Sequence, residues 1–233
     1  MKEVRKSKAA AKVHRIPIEG KDTVSARLDG PTAATKCFVF AHGAGAGMDH
    51  SFMQAVAEGL AARGIATLRY QFPYMEQGSK RPDAPAVAHA AVRAAAAYAR
   101  KSFSEAALIA GGKSFGARMT SQAQALDPLD GVRGLAFFGF PLHPAGKPSI
   151  ERAAHLSDVN IPMLFLQGTK DKLAELSLIK PVVAKLGARA RLELFPEADH
   201  SFHVPVRSGR TDAEIMDDLL NAFAAWSDSV VRG

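Results

Sequence analysis

The chain has 233 residues, 47% of them hydrophobic and 23% charged, with a formal net charge of +7 and a sequence pI near 9.6. No apolar run reaches the ~20 residues of a membrane span, and no apolar core of about 7–15 residues follows the start as in a secretion signal. A cytoplasmic protein of one globular domain, residues 1–233, is therefore expected. The single cysteine, Cys37, excludes an internal disulfide and sits in an apolar strand, which makes it a small core residue.

Six of the first fifteen residues are Lys or Arg, so residues 1–12 are read as a solvated basic arm. The remaining basic residues are interleaved with acids and lack the aromatic platform of single-strand binders, so weak polyanion attraction is expected but no specific nucleic-acid partner. Lys12 to Glu19 and Thr23 to Leu28 both alternate around Gly20-Lys21-Asp22, the pattern of an antiparallel hairpin at a sheet edge. Lys36 to Ala41 is a continuous apolar run, hence a strand covered on both faces. It ends in His42-Gly43-Ala44-Gly45-Ala46-Gly47, a loop whose backbone N–H groups can approach a ligand; His42 is expected to orient it. A capping box of Ser51 with Gln54 predicts the next helix, whose buried stripe is Phe52, Met53, Val56 and Leu60 and whose end is Gly64. Ile65 to Phe72 reads as a strand and Pro73 to Pro85 as a long loop; Ala86 to Phe103 reads as an alanine-rich helix.

Ala107 to Ala110, Gly112-Lys113-Ser114-Phe115-Gly116 and the helix-compatible run after it form a strand, a tight turn and a helix. The pentapeptide is G-x-S-x-G, in which small residues flank a serine because a Cβ there would strike the neighbouring strand or helix. The turn aims Ser114, the Phe115 N–H and the positive end of the new helix at one point. A phosphate-binding loop is excluded because Ala107 stands where its first glycine is needed, and a dinucleotide fingerprint fails at Met48. Lys113, just before the serine, is expected either to pair with an acid of the 73–85 loop such as Glu76 or to extend into solvent. Val132 to Phe140 and Ile161 to Gln167 are further strands. The latter leads into Gly168-Thr169-Lys170-Asp171, where Asp171 is either a catalytic acid or a helix cap. A helix over Glu175 to Leu186 and a strand over Arg191 to Phe195 follow, then a loop holding Asp199, His200 and His203. A second capping box, Thr211 with Glu214, opens a last helix with Ile215, Leu219, Phe223 and Trp226 on one side.

Strands alternate with helices from Lys36 onward, which predicts an α/β fold: a mostly parallel central sheet with helices on both faces. Catalytic groups in such a sheet gather at the carboxyl ends of the strands, where Ser114, Asp171, His200 and the Gly43 to Gly47 loop all fall. The chain resembles the α/β-hydrolases over nearly its whole length. More narrowly it is similar to small dienelactone-hydrolase-like bacterial proteins related to the hydrolase domains of testis-expressed protein 30 and subunit 3 of the non-specific-lethal complex. The residues carrying this are His42-Gly43-Ala44-Gly45, Phe72-Pro73-Tyr74, Arg81-Pro82-Asp83, Gly112 to Gly116, Pro141-Leu142-His143-Pro144, Gly168 to Asp171 and Asp199-His200-Ser201-Phe202.

The resemblance implies an α/β-hydrolase fold and a Ser-Asp-His triad of Ser114, Asp171 and His200, with His200 preferred over His203 and Asp199 left as a loop hydrogen-bonder. The backbone N–H groups of Phe115 and of Ala44, or of its neighbour Gly45, would form the oxyanion site. Such a site takes a small-molecule acyl substrate, an ester, thioester or lactone, and calls for no cofactor and no metal. The alternative is a non-catalytic binding module that keeps the fold. The short span between Phe140 and Ile161 leaves no room for a large cap domain. An open site is thus expected, shaped by Met48, Tyr74, Phe115 and Leu142, with His143 either a substrate contact or a surface-loop residue. Oligomeric state is not legible in the sequence.

Overall fold

The computed structural model describes residues 12–20 and 22–232; the basic arm, apart from Lys12, lies outside them. Eight strands make one sheet: β1 (Val13–Pro17), β2 (Thr23–Asp29), β3 (Lys36–Ala41), β4 (Ala66–Tyr70), β5 (Ala107–Lys113), β6 (Val132–Phe138), β7 (Met163–Gly168) and β8 (Ala190–Phe195). Their order is β1-β2-β4-β3-β5-β6-β7-β8. β1 and β2 form the expected antiparallel hairpin and β2 meets β4 antiparallel, while every pairing from β4 to β8 is parallel.

The central parallel strands are mostly apolar because helices cover both faces, and period-two alternation sends successive side chains to opposite layers. Val39 and Ala41 of β3, Leu108 of β5, Phe137 of β6 and Phe165 of β7 face one cluster, which contains Ala91, Ala95 and Ala99 of α3 (Pro85–Ser102) and Met119 of α4 (Phe115–Leu126). Phe38, Phe40, Ile109, Phe138 and Leu166 face the other, which contains Met53 and Val56 of α1 (Ser51–Ala62) and Phe223 and Trp226 of α6 (Asp212–Arg232). Full burial of each Val, Leu, Ile, Phe or Met side chain among them stabilises the fold by about 1.5–3 kcal/mol. The alanines of α3 let that helix lie close to the sheet.

The Thr211–Glu214 capping box forms reciprocally, Thr211 N–H donating to Glu214 Oε2 at 2.7 Å and Glu214 N–H to Thr211 Oγ1 at 3.2 Å. The Ser51–Gln54 box does not. His50 caps α1 instead, its Nδ1 accepting from Phe52 N–H at 3.2 Å, while the Gln54 side chain bonds Glu58 at 3.1 Å. The 73–85 loop contains a short helix, α2 (Pro73–Glu76), pinned by Tyr74 N–H donating to Asp83 Oδ2 at 3.0 Å. α5 (Leu176–Lys185) follows β7, and the segment between β6 and β7 holds only a 3-10 helix, Glu151–Asp158, lying on α4. There is no large cap domain.

One close backbone approach that positions the site is that of the β5–α4 corner against β3. A Cβ on Gly116 would lie 2.4 Å from the Ala41 carbonyl oxygen, and one on Gly112 2.6 Å from the same atom. Gly116→Ala must therefore move backbone against backbone. It is expected to cost about 1–3 kcal/mol, read as a melting midpoint lower by roughly 2–10 °C; an unchanged midpoint would contradict this close approach.

Candidate active site

Ser114 occupies the corner between β5 and α4 with φ 52° and ψ −109°, a backbone conformation that a residue with a Cβ rarely adopts. Its N–H donates to Phe138 O at 3.2 Å, which anchors the corner to β6. Ser114 Oγ lies 2.8 Å from His200 Nε2, and His200 Nδ1 lies 2.7 Å from Asp171 Oδ2. A carboxylate only accepts, so Nδ1 carries the proton and Nε2 accepts from the serine hydroxyl.

Asp171 is buried and further fixed by two donors. Gln167 Nε2 donates to Oδ2 at 2.5 Å and Leu173 N–H to Oδ1 at 2.8 Å. Gln167 also accepts from Phe140 N–H at 3.0 Å, tying the end of β6 to the acid. Sequence reasoning missed Gln167, since it lies inside β7 and no pattern marks a strand glutamine as buried. The aspartate is not a side-chain helix cap, because Glu175 occupies the N-cap of α5.

His203 is exposed and turned to Asp212, 2.8 Å away, which raises its pKa through that hydrogen bond. Asp199 accepts from the N–H groups of Ser201 and His203 at 2.7 and 3.0 Å and so shapes the loop that carries His200. A second serine–histidine contact, Ser121 Oγ to His155 Nε2 at 2.8 Å, lies on the side of α4 that meets the 3-10 helix. That serine also bonds the Arg118 carbonyl at 3.0 Å, and among the described residues no carboxylate is hydrogen-bonded to His155.

The glycine-rich loop after β3 is held from below. His42 is buried; Phe72 N–H donates to its Nε2 at 3.1 Å and its Nδ1–H donates to Gly43 O at 2.8 Å, as required of a neutral ring. Gly45 N–H donates to the Tyr74 hydroxyl at 3.0 Å. Met48 N–H donates to Gln71 Oε1 and its carbonyl accepts from Arg69, each at 2.8 Å.

A cleft of about 580 Å³ opens over Ser114 and His200, with Gly43 and Ala44 on one side. Its apolar wall comes from Phe52, Met53 and Ala55 of α1, Phe202, and Met216 of α6. Met48, Tyr74, Leu142 and His143 were expected to shape the site, and none of them lines this cleft. All four are buried, and Phe115 packs away from the cleft against Phe72 at 5.3 Å between ring centroids. They brace the loops instead. Leu142 and His143 N–H groups both donate to Leu173 O, and His143 Nε2 lies 2.5 Å from Glu175 Oε2, so His143 is neither a surface residue nor a substrate contact. These residues follow the strands in the chain, but the orientation of a side chain there is decided by the core beneath it.

Lys113 also departs from both expectations. It lines the cleft, its Nζ donates to the His200 carbonyl at 2.5 Å, and burial pushes its pKa down to about 8. Glu76 is committed elsewhere, accepting from Ser25 N–H at 2.6 Å and pairing with Arg15.

A mostly parallel sheet whose positive-φ serine sits between strand and helix, bonded to a histidine and through it to an aspartate, defines the α/β-hydrolase class of fold. The chain belongs to that family: residues 34–228 match the model of the alpha/beta hydrolase domain. Among solved structures it is similar to an α/β serine hydrolase without lid from Xanthomonas campestris, with 20% identity, a TM-score of 0.72 and coverage of 94% of this chain and 95% of that one. It is similar to a dienelactone hydrolase from Anabaena variabilis at 20% identity and TM-score 0.75, covering 93% and 96% of the two chains. An esterase domain from Rhodothermus marinus gives 14% identity and TM-score 0.71, covering 94% and 98%.

Burial holds the His42 pKa down to about 4, and that of His155 to about 4 as well, against an ordinary 6.5. Between these values the unfolded chain binds protons that the folded protein does not, so these two rings lower stability progressively as pH drops from about 6.5 toward 4. For His42 alone the loss is on the order of 3 kcal/mol. The melting midpoint is expected to fall over that range, with a shallower slope in His42→Gln; equal slopes would contradict a buried neutral ring.

Proposed function

We propose that the protein is a serine hydrolase that cleaves a carboxylic ester, thioester or lactone through an acyl-enzyme on Ser114, working as one domain inside the cell. The observation that supports it most is the pair of hydrogen bonds from Ser114 through His200 to Asp171, at 2.8 and 2.7 Å, opening onto a cleft. A hydroxyl is a weak nucleophile until a base takes its proton as it attacks. In this scheme Ser114 Oγ adds to the acyl carbon while its proton passes to His200 Nε2, and Asp171 stabilises the imidazolium by accepting from Nδ1–H. The carbonyl π electrons move to oxygen. Phe115 N–H, at the first turn of α4, would receive that oxyanion together with a loop amide. Gly45 N–H is already given to Tyr74, which favours Ala44 as the second donor.

Collapse of the tetrahedral species breaks the bond to the leaving oxygen or sulfur, which takes the proton from His200. Water, deprotonated by the same imidazole, then adds to the acyl-enzyme and releases the acid and the free serine. The apolar wall of Phe52, Met53 and Met216 suits a hydrocarbon or aromatic acyl group. The likeness to a dienelactone hydrolase and to an esterase domain agrees with acyl-transfer chemistry, although fold does not choose the substrate.

A series of p-nitrophenyl acyl esters tests the reading. Ser114→Ala should abolish turnover with little change in melting midpoint, since one hydroxyl is lost. Asp171→Asn should lower kcat by roughly 10⁴-fold through the wrong histidine tautomer. Turnover retained in Ser114→Ala would remove Ser114 as the nucleophile.

A further inference from the structure

Lys113 borders the cleft yet has no part in the steps above. Among the described residues its ammonium makes no ion pair. Nζ donates to the His200 carbonyl and lies 5.4 Å from the Phe202 ring centroid and 5.8 Å from that of Phe52. Gly139 shows how near it comes to the imidazole. A Cβ there would meet Lys113 Nζ at 3.0 Å and both Cε1 and Nδ1 of His200 at 3.4 Å. The acids whose fields reach the ammonium are Asp171 and Asp199. The other titratable groups bordering the cleft are His200, His50 and Asp212, the last paired with His203.

Holding a cation here costs stability. Loss of water is the largest influence on it, outweighing the attraction of the two aspartates, and it moves the amine from an ordinary 10.5 to about 8. Between these values the unfolded chain keeps a proton that the folded protein releases, so stability rises with pH there; below 8 the whole penalty is present. A methionine would fill much of the same space without the charge. The ammonium is therefore not kept for stability.

We propose that Lys113 is a positioning residue for the hydrolytic reaction: its ammonium ties the main chain of His200 to the strand that carries Ser114 and so sets the imidazole between Ser114 Oγ and Asp171. The proposal rests on the hydrolase reading given above. Lys113 and Ser114 are consecutive, so a bond from one side chain to the His200 carbonyl fixes the other's distance to the ring, although His200 lies 86 residues further along the chain. The two aromatic faces attract the cation and keep it from swinging toward water. A displacement of about 1 Å between reacting groups can cost on the order of 100-fold in rate.

The test compares the native chain with Lys113→Met and Lys113→Arg by three readouts: melting midpoint, kcat and KM on an aryl ester, and the low-field Nδ1–H proton resonance of His200 in NMR spectra. Lys113→Met should raise the midpoint and weaken the resonance through faster exchange. It should lower kcat by about 10- to 100-fold with KM held within about twofold. Arginine keeps a donating cation and should recover part of kcat. Unchanged kcat and resonance in Lys113→Met would overturn the proposal, as would a midpoint falling together with kcat, the mark of a merely structural lysine. Were the native chain to cleave no ester, the hydrolase reading would fail separately. The resonance would still decide whether Lys113 holds His200, since its persistence in Lys113→Met would overturn that role too.

Discussion

The backbone corner at Ser114 is the constraint on which the rest of the structure depends. A residue with a Cβ held at φ 52° stores strain of about 1–3 kcal/mol, which persists only when its surroundings over-determine it. They do so here on three sides. β5 enters the corner between β3 and β6, α4 leaves it, and Gly112 and Gly116 allow backbones to meet at distances no side chain would tolerate. The same corner puts the first amide of α4 and the serine hydroxyl on one side of the sheet, toward the loops that end β3, β7 and β8.

Those loops are braced by buried polar groups rather than by apolar contact. Gln167 links the end of β6 to Asp171, Leu173 N–H holds the other carboxylate oxygen, and the Leu142–His143 backbone grips Leu173 from behind. On the opposite flank His42, Tyr74, Gln71 and Arg69 hold the glycine-rich loop by its backbone. Gln167, His42 and Arg69 are satisfied at both ends, which is the condition under which buried polar groups confer one geometry instead of destabilising the fold. Lys113 differs from them in that its cation is compensated by a carbonyl and two ring faces and by no carboxylate contact.

Much of this was legible in the residues. The apolar runs, the hairpin, the order of strands and helices and the corner at Ser114 follow from period, turn chemistry and the glycine spacing, because backbone sterics and burial decide them locally. The convergence of Ser114, Asp171 and His200 was expected from chain position together with the family resemblance. What escaped is long-range and directional. Gln167 reads as an ordinary strand residue, Lys113 as a solvated or paired one, and Met48, Tyr74, Leu142 and His143 as wall residues. Their true roles depend on which neighbouring backbone groups need a partner. His50 displaced Ser51 as the cap of α1 for a similar reason: the turn from Gly47 to His50, closed by His50 N–H donating to the Gly47 carbonyl, presents the imidazole, not the hydroxyl, to the Phe52 amide.

The central claim, that Ser114 is an activated nucleophile, is tested most directly by the intact mass of the protein after exposure to a fluorophosphonate, beside the Ser114→Ala variant. The probe phosphonylates an activated serine with loss of fluoride and needs no knowledge of the natural substrate. The account predicts one adduct on the native chain and none on the variant. An adduct of equal yield on both, or none on a folded native chain, would contradict it.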